Sequence, residues 1–286
     1  MDTTNPGICH FRIGDITVTA LNDGAFQAQT AYIQGVPANE IEDELRRTFR
    51  AVPPRITIGA FLLTIGGRHI LVDSGSGTAF GPDHGNLRKH LVTLGIAQAD
   101  IAKVLVTHAH IDHVSGLIDP EGAAYFPNAE IVLHEAEIDF WLNEANEAAA
   151  ADKSGFVTAR TALTPYLDRI TTLHDGAEAT HGVSCVHLPG HTPGHSGWMI
   201  ASGTDALLIW GDIVHVPGIQ FLRPEAGMGF DTDIAQGRKT RAGILERVTT
   251  DRTRIAGMHL DFPCFGHVTR SGTGYAFVPE VWKPVP

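Results

Sequence analysis

Short apolar runs recur along the chain, and they are punctuated by glycine and proline more than by polar tracts. Residues 16–21 alternate loosely, which predicts a strand. Residues 39–50 (NEIEDELRRTFR) read as a charged amphipathic helix stopped by Pro53–Pro54, since proline cannot continue a helix. Residues 59–65 and 69–72 are apolar β-rich runs split by Gly66–Gly67, a hairpin signature. A glycine-rich stretch, Asp73-Ser-Gly-Ser-Gly-Thr, follows at once. Further strands are predicted at 103–106, 130–133, 185–188, 197–200, 206–210 and 254–258, with an edge strand at 274–278. Helices are predicted at 87–94, ending at Gly95, at 135–151 as one long element, at 157–170 with an interruption at Pro165, and at 234–249.

Strands and helices therefore mix without strict βαβ alternation, and the early hairpin adds antiparallel pairing. That pattern suits a layered α/β sandwich with mixed sheets better than a doubly wound sheet. No Pro/Ser-rich linker divides residues 1–286, so one domain is expected, with residues 1–58 as an N-terminal extension. The chain carries 21 Lys+Arg against 32 Asp+Glu, a formal charge of −11, which argues against nucleic acid as a partner. No apolar run approaches the roughly 18–20 residues of a membrane span. The first residues lack a basic and an apolar signal region, so a cytoplasmic location is expected. Cys9, Cys185 and Cys264 are too few and too scattered for a disulfide framework or a cysteine metal site.

Histidine is the exception in this composition, with sixteen residues against four tyrosines and four tryptophans. His108-Ala-His110-Ile-Asp112-His113 follows an apolar strand and places four ligand-type side chains within six positions. Side chains alternate along an extended backbone, so His108 and His110 share one side, while Asp112 and His113 lie beyond, where the chain turns. Imidazole nitrogen and carboxylate oxygen are what zinc and other divalent first-row ions accept. Three later segments repeat the device of a short strand ending in a ligand: residues 185–195 with His191 and His195, 207–212 with Asp212, and 255–259 with His259. The isolated His69, His84, His90, His134, His174 and His181 carry no such pattern. Thr107 and Ser196 lack the elbow motif of a serine nucleophile and are expected to make local hydrogen bonds.

HxHxDH followed by His, Asp and His resembles the metallo-β-lactamase fold superfamily. GHTPGH at 190–195 is similar to the corresponding stretch of glyoxalase II and its relatives, and Leu71-Val-Asp73-Ser-Gly resembles an early strand–turn motif of the superfamily. The resemblance implies a four-layer αββα sandwich with the metal site at the rim between its sheets. It implies two divalent ions, zinc or alternatively manganese, cobalt or iron. His108, His110 and His191 would hold the first, Asp112, His113 and His259 the second, and Asp212 would bridge them. It assigns Asp73 and His195 to orienting those ligands, with a turn residue that hydrogen-bonds only backbone as the alternative for His195. Two ions sharing one oxygen lower its pKa toward neutrality, so a bridging hydroxide is the implied nucleophile, with Asp112 passing a proton to the leaving group.

Within the superfamily the chain resembles the branch of N-acyl-homoserine lactonases and methyl parathion hydrolase, through its complete ligand set, its N-terminal extension and residues 135–141. The expected activity is lactone hydrolysis, most of all of N-acyl-homoserine lactones, as in quorum quenching. The alternative is a phosphotriesterase or arylesterase on the same metals. A thioesterase of the glyoxalase II kind is disfavoured by the lack of a basic cluster after the last ligand, and a non-catalytic metal protein by the complete ligand set. Many homoserine lactonases carry tyrosine three positions after the bridging aspartate. This chain has His215, whose imidazole would donate to a developing oxyanion. Phe140, Trp141, Phe221 and Phe230 are the candidate substrate-binding residues, with Leu222, Met228, Phe262 and Phe265 as further apolar neighbours. Residues 218–233, rich in Gly and Pro, read as a mobile loop over the site. A homodimer is expected.

Overall fold

A computed structural model describes residues 7–281. Two seven-stranded sheets pack face to face. The first contains β1 (Ile8–Ile13), β2 (Ile16–Gln27), β4 (Arg55–Ile65), β5 (Arg68–Val72), β6 (Ile101–Leu105), β7 (Glu130–His134) and β8 (Ile170–Leu173), side by side in that order. A short β3 (Ile33–Gln34) lies outside it and pairs with β13 (Gly227–Met228). The second sheet runs β16 (Gly274–Pro279), β15 (Phe265–Ser271), β14 (Arg254–Ala256), β12 (Asp205–Ile209), β11 (Ser196–Ser202), β10 (Val183–His187) and β9 (Glu178–Thr180). Strands β1 to β5 pair antiparallel and β5 to β8 parallel, and β12 and β14 form a parallel pair within an otherwise antiparallel sheet. Both sheets are therefore mixed, as expected of the αββα sandwich.

Period-two alternation decides which layer each strand feeds. In β4, Phe61 and Leu63 enter the core between the sheets, against Trp198, Ile200 and Leu208, whereas Ala60 and Leu62 face the outer helices Asn86–Thr93 and Ser154–Leu163. β7 divides in the same way, with Val132 inward and Ile131 and Leu133 outward. On the far side, Ile244, Leu245 and Val248 of helix Ile234–Thr250 join the core that the second sheet builds. A third, smaller core joins the N-terminal segment to the chain after Asp212: Ile33, Ile41, Leu45 and Ile56 pack on Val216, Ile219 and Met228.

Several expectations are corrected. The predicted helix 135–151 is two helices, Glu135–Trp141 and Glu144–Ala149, because the Asn143 side chain accepts from the Ala145 amide at 2.9 Å and starts a new one. The interruption expected at Pro165 is present: the α-helix Ser154–Leu163 ends just ahead of it, and Pro165 sits in the first turn of a 3₁₀ segment, Thr164–Arg169, where its missing N–H is unneeded. The segment 218–233 is built into the fold: all of helix Pro217–Gln220 is buried and β13 pairs with β3. β1 and β15 show weak alternation in sequence, and their pairing partners alone make them strands. Among the described residues no helix is long and apolar enough to cross a membrane.

Candidate metal centre

Five strands end at one rim, and each delivers a polar side chain just past its carboxyl end. β5 leads to Asp73, β6 to His108 and His110, β10 to His191, β12 to Asp212 and β14 to His259. Ligand sites collect at such strand ends in α/β sheets generally. Immediately after His110 the chain turns into the short helix Ile111–Val114, which swings Asp112 and His113 inward. The turn at Gly211 (φ 59°) brings Asp212 into place, and a Cβ there would lie 2.5 Å from His195 Nε2. Only glycine permits this approach, and it lets the Asp212 amide donate to His195 Nε2 at 2.8 Å.

Asp212 Oδ2 is the centre of the cluster. His259 Nε2 lies 3.0 Å from it, His215 Nε2 3.1 Å, His113 and His191 Nε2 3.3 Å each, and His108 Nε2 3.5 Å. His110 Nδ1 faces His191 Nε2 at 2.9 Å, and Asp112 Oδ2 lies 3.5 Å from His259 Nε2. Four triads have donor atoms within 4.8 Å of one another: His108–His110–His191, His108–His113–Asp212, Asp112–His113–His259 and His191–Asp212–His215. All seven side chains expected to bind metal thus converge. His215, expected to donate a hydrogen bond to a developing oxyanion, is also placed where it could ligate.

The donor set fits metal. Among the described residues His108 Nε2, His113 Nε2 and Asp212 Oδ1 are buried without a hydrogen-bond partner, which is costly for polar atoms and natural for ligands. Burial, with neighbouring imidazoles second, pushes His108 and His110 well below the usual histidine range, so both present neutral rings. Burial opposes ionisation of Asp212, but the imidazoles led by His113 and His259 hold its carboxyl well below the usual range.

Several of the other ring nitrogens, and the His215 backbone, are fixed by partners. His113 Nδ1 lies 2.7 Å from Asp73 Oδ2, and Asp73 also accepts from the Thr107 amide and hydroxyl at 2.7 and 2.8 Å. His195 Nδ1 donates to the Leu188 carbonyl at 2.7 Å, leaving Nε2 to accept from Asp212. Three partners were invisible in sequence. Asp231 holds His191 Nδ1 at 2.7 Å, the Thr57 carbonyl accepts from His259 Nδ1 at 2.6 Å, and Gln220 Oε1 receives the His215 amide at 2.7 Å. None forms a motif, because each lies about 40 or more residues from its histidine or pairs through a backbone atom. The Ser196 hydroxyl donates to the Gly194 carbonyl at 2.9 Å, a local bond as expected.

The cluster floors a cavity of about 660 Å³ whose walls include Phe26, Tyr32, Phe80, Phe140, Trp141, Phe156 and Phe230. Phe140, Trp141 and Phe230 are therefore where the sequence suggested. Phe221 is not. It is 2% exposed and stacks on Phe277 inside the second sheet's core, so the expectation that it binds substrate is withdrawn. Met228 and Phe265 are likewise core residues. Phe26, Tyr32, Phe80 and Phe156 come from a strand end and three separate segments, which no local pattern connects.

A sandwich of two mixed sheets with a histidine–aspartate cluster at its rim defines a metal-dependent hydrolase architecture. The family model of the metallo-beta-lactamase superfamily matches residues 58–259, and the chain belongs to that superfamily of hydrolases. A solved hydrolase of the beta-lactamase superfamily, AbOPH, is similar over 99% of this chain and 100% of its own, with 28% identity and a TM-score of 0.92. AidC, a dizinc quorum-quenching lactonase solved with the product N-hexnoyl-L-homoserine, is similar over 97% of this chain and 99% of its own, with 25% identity and a TM-score of 0.90. A quorum-quenching N-acyl homoserine lactone lactonase shares the fold at 16% identity and a TM-score of 0.62, covering 90% of this chain and 100% of its own. No curated sequence matches the chain.

Proposed function

We propose that this hydrolase opens the lactone ring of N-acyl-homoserine lactones or closely similar lactones at a two-metal centre. One observation carries the reading: a carboxylate–imidazole cluster floors a cavity with aromatic walls and, among the described residues, no lysine or arginine in its lining. Such a cavity suits an uncharged ester with an apolar tail, and apart from the metal ions it offers no cationic side chain to a phosphate monoester, a nucleotide or an acidic thioester. The likeness to AidC supports the same class of substrate.

The seven side chains His108, His110, Asp112, His113, His191, Asp212 and His259 would hold the ions, and the nitrogen-rich donor set favours zinc. Bound there, two divalent ions supply an activated water and an electrophile for the substrate's oxygen. Asp112 borders the cavity, so its carboxylate can take a proton and return it to the ring oxygen that leaves. His215, also on the cavity wall beside Asp212, donates to the oxygen that gains charge, in the position where many lactonases use tyrosine. Phe140, Trp141 and Phe230 flank the tail.

The aromatic walls also suit an aryl leaving group, so an aryl phosphotriesterase or arylesterase is the second reading. Protein of measured metal content is assayed in parallel with N-acyl-homoserine lactones of several chain lengths, by proton release, and with an aryl phosphotriester. The lactone is expected to have the larger kcat/KM. Turnover of the triester alone would overturn the lactonase assignment, and inactivity of His110→Ala and Asp112→Ala variants ties either activity to this centre.

A further inference from the structure

Glu137 stands out among the buried charges because nothing in the proposed chemistry uses it. It lies in helix Glu135–Trp141, is 1% exposed, and among the described residues faces no basic side chain within hydrogen-bond reach. Four donors converge on its carboxylate. Oε1 accepts from the Ala109 amide at 2.8 Å and from Trp141 Nε1 at 2.6 Å. Oε2 accepts from the Thr192 hydroxyl at 2.6 Å and the Gly194 amide at 3.0 Å.

Those four donors belong to three parts of the site. Ala109 lies between His108 and His110, Thr192 follows His191 and Gly194 precedes His195. Trp141 lines the cavity, with its ring 5.6 Å from that of His110. The two ligand loops come from different sheets, β6 from the first and β10 from the second. One carboxylate thus joins the loops across the sandwich and ties an aromatic wall to both. The packing is close enough to need it: a Cβ on Gly194 would lie 2.2 Å from the Glu137 amide nitrogen, and one on Gly155 2.9 Å from the Trp141 ring.

We propose that Glu137 is a positioning residue that sets the spacing of His110 and His191 and holds the Trp141 wall against them. The proposal rests on the reading of the cluster as a metal centre. Its chemistry makes a directional prediction. A carboxylate only accepts, which matches four donors, whereas an amide replaces one acceptor by an NH₂ group. In Glu137→Gln the remaining oxygen belongs on the Ala109–Trp141 side, because neither of those donors can become an acceptor. The NH₂ then faces Thr192, whose hydroxyl can turn and accept, and Gly194, whose amide cannot. The variant therefore keeps the tryptophan contact and selectively loosens the loop that carries His191.

The test uses cobalt(II) as the probe, added alone to metal-stripped full-length protein. Affinity is read by competition with a chromophoric chelator and geometry by the visible d–d bands. Glu137→Gln is expected to bind cobalt about 10–100-fold more weakly, the range seen when groups that orient metal ligands are lost, with altered bands. Trp141→Phe removes one donor from Oε1 and leaves both loops tied, so its cobalt affinity is expected to stay within about two-fold while KM rises. Wild-type affinity and unchanged bands in Glu137→Gln would reduce Glu137 to a space-filling role and overturn the proposal. If that variant does not fold, Thr192→Val carries the test, since it deletes a side-chain donor without stranding an amide. A loss of about 3–10-fold is then expected, and no loss overturns the proposal. A wild-type chain that binds no cobalt removes the metal reading itself, a result distinct from equal binding by wild type and variant.

Discussion

Replacing Asp73 by asparagine reverses one proton. Asp73 is fully buried and accepts three hydrogen bonds, one of them from His113 Nδ1 at 2.7 Å. With metal bound, that bond would keep the His113 proton on Nδ1 and leave Nε2, 3.3 Å from Asp212 Oδ2, free to ligate. The backbone tolerates the change, since residue 73 has φ 59°, a conformation asparagine adopts more readily than most residues. The asparagine oxygen stays on the Thr107 amide, which cannot reverse, so the NH₂ faces the Thr107 hydroxyl and the imidazole. The hydroxyl can turn. The imidazole must either face donor to donor or move its proton to Nε2, where it blocks the metal. Stranding a buried donor costs about 1–3 kcal/mol, which at 298 K is roughly a 5- to 150-fold loss in metal affinity. Chelator competition should show this loss at one of two sites, with the other site and the thermal unfolding of the metal-free protein little changed. An Asp73→Asn protein that binds both ions as tightly as wild type would falsify the tautomer argument.

Further outcomes follow from the same geometry. Phe221→Ala, in the core, should cost about 3–5 kcal/mol of stability and leave kcat/KM of the folded protein unchanged, whereas Phe230→Ala, on the cavity wall and 36% exposed, should raise KM with little effect on unfolding. Chelation should abolish hydrolysis and lower the thermal midpoint, and restored metal at 100 times its Kd should return about 2.7 kcal/mol. Metal should be released on the acid side, because the ligating imidazoles must be neutral, and His113, His191 and His259, which the neighbouring carboxylates led by Asp212 raise against the effect of burial, take up protons before His108 and His110, which burial holds low. His195, lowered to about 3 mainly by burial, keeps accepting from Asp212 throughout that release, and difference spectra or NMR of the ring can follow it. In the native protein a thiol reagent at pH 8 should label Cys9 first. Cys185, raised to about 11 by burial, and Cys264, raised further by burial, should react only after unfolding.

The chain by itself determined the ligands and the class of fold. Metal chemistry demands particular side chains, and strands place them at short, recognisable spacings, so His108 to His113 and the strand-end His191, Asp212 and His259 were legible as residues. Alternating apolar runs likewise gave most of the strands, because period two is a local property. Only the tertiary structure decided which carboxylate faces which ring. Asp231 meets His191 and Glu137 meets Ala109 and Gly194 across loops from different sheets, and a hydrogen bond between distant segments leaves no local pattern. The same reason misplaced Phe221. An aromatic next to a ligand-bearing loop reads identically whether it turns outward to the cavity or inward to Phe277, and the packing of the second sheet made that choice.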